Sequence, residues 1–346
     1  MATWCSARVW SVRHAGYVPS TGTVTLRSRR STTARRCRWP PLAGSTNATG
    51  GSPIKLGLHI AETSWQGGPA EFAQVLAEVA GAAETAGFDA ISVADHLWLH
   101  PIMGGPERSH PEAYTMLGFL AAHTERVRLL TLATAATYRP AALLAKMVTT
   151  LDVLSGGRVM LGIGAGDYAE EATGLGLPFG PTRERFEVLE ETVRACLAMW
   201  QGEQGSDRPF DGDHVRLGRT LNVPQSLSRP HPPILIAGGG ERRTLPLVAR
   251  YADACNLPPS PELPSKLERL RELCAEHGRD FETIEKTAPF GFDVGEGGAK
   301  VPELIDQLGW LSSLGIQSVF GWVVGVDRIA PIEVIGRDVI PAIADW

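Results

Sequence analysis

The chain has 346 residues, 43% hydrophobic and 21% charged, the balance of a globular protein long enough for one large α/β domain or two small ones. No apolar run reaches the ~18 residues of a membrane helix, which argues against a membrane partner. Eight of the 33 basic residues are arginines in the first 53 positions, where acidic side chains are absent; residues 54–346 therefore set 25 basic against 38 acidic side chains, a formal charge of −13 that disfavours nucleic acid.

The arginine-, serine- and threonine-rich residues 1–53 show no hydrophobic periodicity and read as a disordered leader or an artefactual upstream start rather than a targeting segment. From Ile54 the pattern alternates. Ile54–Ile60 reads as a first strand, and Phe72, Val75, Leu76 and Val79 at helical spacing predict a helix over Pro69–Ala86, stopped by Gly87. Phe88–Ala94 is a second strand, followed by a long Gly/Pro loop and a helix over Ala113–His123. Val127–Thr134 is a third strand, with a helix from Ala141 to Leu154 that ends at Gly156-Gly157. Val159–Ile163 is a fourth, with Arg183–Trp200 as its return helix. Residues 202–232 interrupt the rhythm with a predicted hairpin at 210–217 and four prolines, an insertion between strands four and five. Four further units follow, with strands at Ile234–Ala237, Ala254–Leu257, within Thr283–Asp293 and at Ser318–Val324, and helices at Arg242–Tyr251, Pro264–His277, Pro302–Leu314 and Pro331–Ala344. Eight strand–helix units predict a (β/α)8 TIM barrel over residues 54–346. An open doubly wound sheet is the competitor, but Ala-Glu-Thr-Ser-Trp after the first strand is no phosphate loop.

Chemistry in such a barrel sits at the carboxyl ends of the strands. Gly162, Gly164 and Gly166 strip side chains from the end of the fourth strand, either for close approach of a flat ring or phosphate, or to relieve crowding. Gly238-Gly239-Gly240 with Arg242 or Arg243 at a helix start suits an anion, against the alternative of a plain turn. Asp95-His96 is the best acid–base pair, and Asp167 is the second proton-transfer candidate. Trp65, Trp98, Tyr168 and Trp322 are aromatic candidates for a pocket wall or for core packing. The five cysteines are widely spaced with no C-x-x-C pair, which suits reduced thiols in a cytosol, and no metal site is predicted.

Ala-Gly-Phe-Asp-Ala-Ile-Ser-Val-Ala-Asp-His (86–96), Leu-Ala-Thr-Ala-Ala-Thr-Tyr-Arg-Pro (132–140), Leu-Asp-Val-Leu-Ser-Gly-Gly-Arg-Val-Met-Leu-Gly-Ile-Gly-Ala-Gly (151–166) and Pro-Ile-Leu-Ile-Ala-Gly-Gly-Gly-Glu-Arg-Arg-Thr-Leu (233–245) occur in this order. With them the chain resembles the luciferase-like monooxygenase family, in particular its coenzyme F420-dependent oxidoreductase branch, over about residues 54–343. The resemblance implies a TIM barrel with a reduced deazaflavin or flavin at its mouth, and a non-proline cis peptide around Leu132-Ala133. It implies cofactor contacts from Leu132, Ala133, Thr134, Gly164, Ala165, Gly166, Gly238, Gly239, Gly240 and Arg242, and catalytic roles for His96, Asp95 and Asp167. A catalytic tryptophan in some relatives lies further along than Trp98, so that role is not carried over. The expected activity is hydride transfer between F420 and a small organic substrate in the cytoplasm. The alternatives are a reduced-FMN monooxygenase and a non-catalytic cofactor-binding barrel. The partner expected is a small-molecule substrate, with a homodimer left open.

Overall fold

The computed structural model describes residues 53–344 and 346; apart from Pro53, the expected leader over residues 1–53 lies outside them. Eight parallel strands run β1 (Lys55–Ile60), β2 (Ala90–Val93), β3 (Arg128–Thr131), β4 (Val159–Gly164), β5 (Ile234–Ala237), β6 (Ala254–Asn256), β7 (Glu285–Phe292) and β8 (Ser318–Val323). Each pairs with its sequence neighbours, β1 pairs with β8, and the sheet closes on itself. The principal return helices are α1 (Gly68–Ala86), α2 (Ala113–Ala122), α3 (Ala141–Ser155), α5 (Thr182–Trp200), α6 (Thr244–Tyr251), α7 (Leu263–Glu276) and α8 (Val301–Ser313), with a short α4 (Ala169–Gly174) ahead of α5. The last return begins as α9 (Ala330–Val334) and passes through a π-helical turn (Ile335–Val339) into α10 (Ile340–Ile343). Pro341, which has no N–H to donate, follows that turn.

The strands are apolar on both faces because both are covered. One face packs against helices in a large core that includes Leu161, Ile163, Leu189 and Val193. The other fills the barrel with Ala90, Leu130, Met160, Leu235, Ala254 and Phe320. Phe320 fits because Gly57 on β1 has no side chain; a Cβ there would lie 2.5 Å from the Phe320 ring. At the amino ends of the strands, Arg128 bonds Asp89 (2.6 Å) and Glu285 (2.9 Å), joining β2, β3 and β7 across the closed bottom. The predicted insertion carries the hairpin Phe210–Asp211/Arg216–Leu217, whose turn amides at 213–215 donate to the Glu191 carboxylate of α5 at 2.7–2.9 Å.

Two features depart from the sequence expectation. The third strand is not continuous to Thr134: β3 ends at Thr131, and Thr134–Ala135 pairs separately with β4. Leu130 lies opposite Met160 and Thr134 opposite Ile163, so three residues on the β3 side face two on β4, a one-residue bulge. The second is α4, which falls between the fourth strand and Arg183, where the sequence pattern predicts no element.

The bulge explains Gly162. A Cβ there would sit 1.8 Å from the Thr131 carbonyl oxygen, whereas at Gly164 the nearest atom is Ala237 O at 3.7 Å. Of the two readings of these glycines, close backbone packing holds at Gly162, while at Gly164 a Cβ would make only ordinary contact. Gly162→Ala is expected to cost at least ~3 kcal/mol of stability, because backbone and not a flexible side chain must move. Gly164→Ala is expected to stay within ~1 kcal/mol of wild type. Urea unfolding of the two variants checks the contrast.

Candidate active site

The carboxyl ends of the strands open on a cavity of about 630 Å³. Leu132 and Ala133, in the bulge and joined by a cis peptide bond, line one side; the ends of β5 and β6 and the middle of β7 contribute Ala237, Asn256 and Pro289. Trp65 and Trp322 also line it. Trp98 instead packs against Gly174 of α4, and Tyr168 stacks edge-on to His100 at 4.8 Å.

His59, near the end of β1, lines the cavity although only 8% of it is exposed. Its Nδ1 bonds the Ser92 hydroxyl at 2.9 Å, and Nε2 has no partner among the described residues. Burial, then the neighbouring His110, push its pKa down to about 4; the Ser92 bond only partly opposes them. His110 is also lowered, chiefly by burial, while its Nε2 donates to Ala94 O at 2.8 Å.

His96 does not pair with Asp95. Its Nδ1 lies 2.9 Å from the carboxylate of Glu171, a side chain with no exposed surface. Glu171 also accepts from the Tyr138 hydroxyl (2.5 Å), the Trp98 amide (2.9 Å) and the Leu97 amide. Burial works to raise its pKa, but the bonds from His96, Tyr138 and the two amides outweigh burial and hold it below the ordinary carboxylate value. An ionised acceptor fixes the His96 proton on Nδ1 and leaves Nε2 free to take another. Sequence reading missed Glu171 because it belongs to an acidic doublet in an apparent loop. The signal was there: Tyr168, Glu171 and Ala172 are buried at helical spacing.

Asp95 is tied elsewhere. Both of its oxygens are held by the Arg139 guanidinium, at 2.6 and 2.9 Å, and Arg139 reaches on to Glu112 at 2.7 Å. Glu112 in turn caps α2 through the Thr115 amide. Asp167 is exposed and makes no hydrogen bond or ion pair among the described residues.

The predicted cofactor residues divide. Leu132 and Ala133 line the cavity. Thr134 is fully buried, with its hydroxyl shared between Tyr114 and Thr131 at 2.9 Å each. The bulge accounts for this, because it puts Thr134 in register with helix-facing Ile163 and turns Ala135 to the inner face beside Gly164. Gly164, Ala165 and Gly166 form the partly exposed end of β4. Gly238–Gly240 make the turn into α6, where the amides of Arg243, Thr244 and Leu245 all return to Gly240 O. The four amides of 239–242 have no acceptor among the described residues, and Arg242 is exposed and outside any ion pair there. Lys266, absent from the sequence prediction, reaches this turn from α7 and donates to Gly239 O at 2.8 Å.

Acid stability follows from His59. The unfolded imidazole takes up its proton near pH 6.5 and the native one near 4, so its contribution is complete above about pH 6.5 and lost as pH falls towards about 4. The loss amounts to about 3 kcal/mol. Chemical unfolding across that window should show His59→Gln losing correspondingly less stability than wild type; parallel slopes would refute it.

The luciferase-like monooxygenase family matches residues 56–313. The F420-dependent glucose-6-phosphate dehydrogenase of Tsukamurella paurometabola is 31% identical over 244 residues, 67% of this chain and 67% of that protein. Its namesake in Nocardia farcinica is 36% identical over 203 residues, 57% of this chain and 54% of that protein. The chain thus spans about half to two thirds of the length of these relatives. Among solved structures, an F420-dependent secondary alcohol dehydrogenase in complex with an F420–acetone adduct superposes with a TM-score of 0.69 at 19% identity, covering 84% of this chain and 99% of that one, a likeness of fold. Matched across nearly the whole barrel, the chain belongs to the luciferase-like monooxygenase family of oxidoreductases.

Proposed function

We propose that the chain transfers a hydride between coenzyme F420 and a small organic substrate at the barrel mouth. The observation that carries this reading is the pairing of an apolar cavity, lined by the Leu132–Ala133 backbone, with a separate anion-ready turn at Gly238–Arg242. A flat ring suits the first, where Ala133 and Ala237 are small. The second suits a phosphate: the amides of 239–242 are unpaired among the described residues, Arg242 is exposed beside them, and Lys266 reaches the turn, where its ammonium also lies 3.8 Å from the Glu241 carboxylate. The F420-dependent names of the relatives support the same cofactor.

Bound F420 supplies a ring carbon that accepts or gives a hydride; the protein contributes placement and proton handling. His96 is the proposed proton carrier at Nε2, with Glu171 holding Nδ1 and stabilising the imidazolium. Asp167, exposed at the end of the glycine turn, is the second group proposed to deliver a proton. Asp95 acts as a positioning residue through Arg139.

Anaerobic titration with F420 and with FMN tests the cofactor. Saturable quenching of F420 fluorescence with much weaker FMN binding is expected; tight FMN binding without F420 binding would overturn the proposal. Glu171→Gln is expected to lower kcat about 100-fold and to shift the pH–rate profile while F420 affinity stays within about threefold. An unchanged pH profile would remove Glu171 from proton handling.

A further inference from the structure

The charge around the cavity is one-sided. Among the described residues that line it there is no lysine or arginine, and the two ionisable acids, Glu62 after β1 and Asp327 after β8, are both carboxylates. His59 adds no positive charge near neutrality, since burial keeps its ring neutral there. Arg139, on the neighbouring strand end, is already shared between Asp95 and Glu112. Apart from Ser64 and Asn256, the remaining lining residues are apolar or glycine, and the rim stays open: Ile102 is 73%, Trp322 47% and Val324 60% exposed.

An anionic group entering this space would shed water with no cation to receive it and two carboxylates nearby. An apolar body loses nothing by the same move. Polar contacts are few inside: the unpartnered Nε2 of His59 and the side chains of Ser64 and Asn256.

From the cavity we infer that the substrate is uncharged and mainly apolar, presents a hydroxyl or carbonyl to His59, and is not a phosphorylated sugar. This rests on the proposed placement of the cofactor, whose anionic tail is assigned to the Gly238–Arg242 turn and not to the cavity. It also separates the chain from relatives whose names specify glucose 6-phosphate.

Calorimetric titration with two probes of one carbon skeleton, cyclohexanol and cyclohexyl phosphate, tests the inference on protein equilibrated with F420. Cofactor binding is read first, from deazaflavin fluorescence, so its failure overturns the cofactor proposal alone. The probe preference is then read by heat, with or without cofactor. Cyclohexanol should bind saturably and at least about tenfold more tightly than the phosphate ester. Glu62→Gln with Asp327→Asn should tighten the ester about tenfold and leave cyclohexanol within about twofold. Equal or tighter binding of the ester to wild type, or no saturable binding of cyclohexanol, overturns the inference. His59→Leu should weaken cyclohexanol about tenfold, and unchanged affinity in that folded variant would remove the assigned hydrogen bond.

Discussion

One buried carboxylate organises the mouth of this barrel. Glu171 has no exposed surface and accepts bonds from the His96 ring, the amides of Leu97 and Trp98 and the hydroxyl of Tyr138. A charge removed from water requires such donors, and here they come from the segments that follow β2 and β3. The path of the chain after β2 and the orientation of His96 are consequently set by the same group. Asp95 does parallel work one residue earlier, holding Arg139 and, through it, the Glu112 cap of α2. Both acids belong to the scaffold of the site as much as to its chemistry.

The two ends of the barrel use charge differently. At the bottom, Arg128 satisfies Asp89 and Glu285, and the ion pairs tie strand starts together. At the top, the ion pairs do not line the cavity, whose walls are mainly apolar, with a neutral histidine and two acids outside any ion pair among the described residues. Such a division suits a fold whose stability and activity occupy opposite faces.

Much of this was legible from sequence. Strand–helix alternation is a periodicity, and covered parallel strands read as short apolar runs, so the barrel and its insertion could be counted along the chain. The cis bond at Leu132-Ala133 was implied by family resemblance and stands where expected. Side-chain partnership was less legible. Asp95 and His96 are adjacent in sequence, yet their partners lie 44 and 75 residues away, because neighbours on a strand end point to opposite faces. Glu171 went unseen because α4 is only six residues long, too short for its period to stand out from an acidic loop. Lys266 belongs to a later helix that reaches the glycine turn only in three dimensions.

The bulge after Thr131 works like a frameshift written in structure. Across it, the parity that assigns residues to the inner or outer face changes, so Ala135 and not Thr134 stands beside Gly164. Flattening the bulge at unchanged length would bring Thr134 opposite Gly164 and exchange a methyl group for a hydroxyl at the mouth, whereas deleting one bulge residue would leave Thr134 opposite Ile163 and Ala135 opposite Gly164. Within such a barrel, a shorter chain at the bulge keeps the facing of the residues after it, while an equally long chain without the bulge would present a new pocket surface from the same sequence.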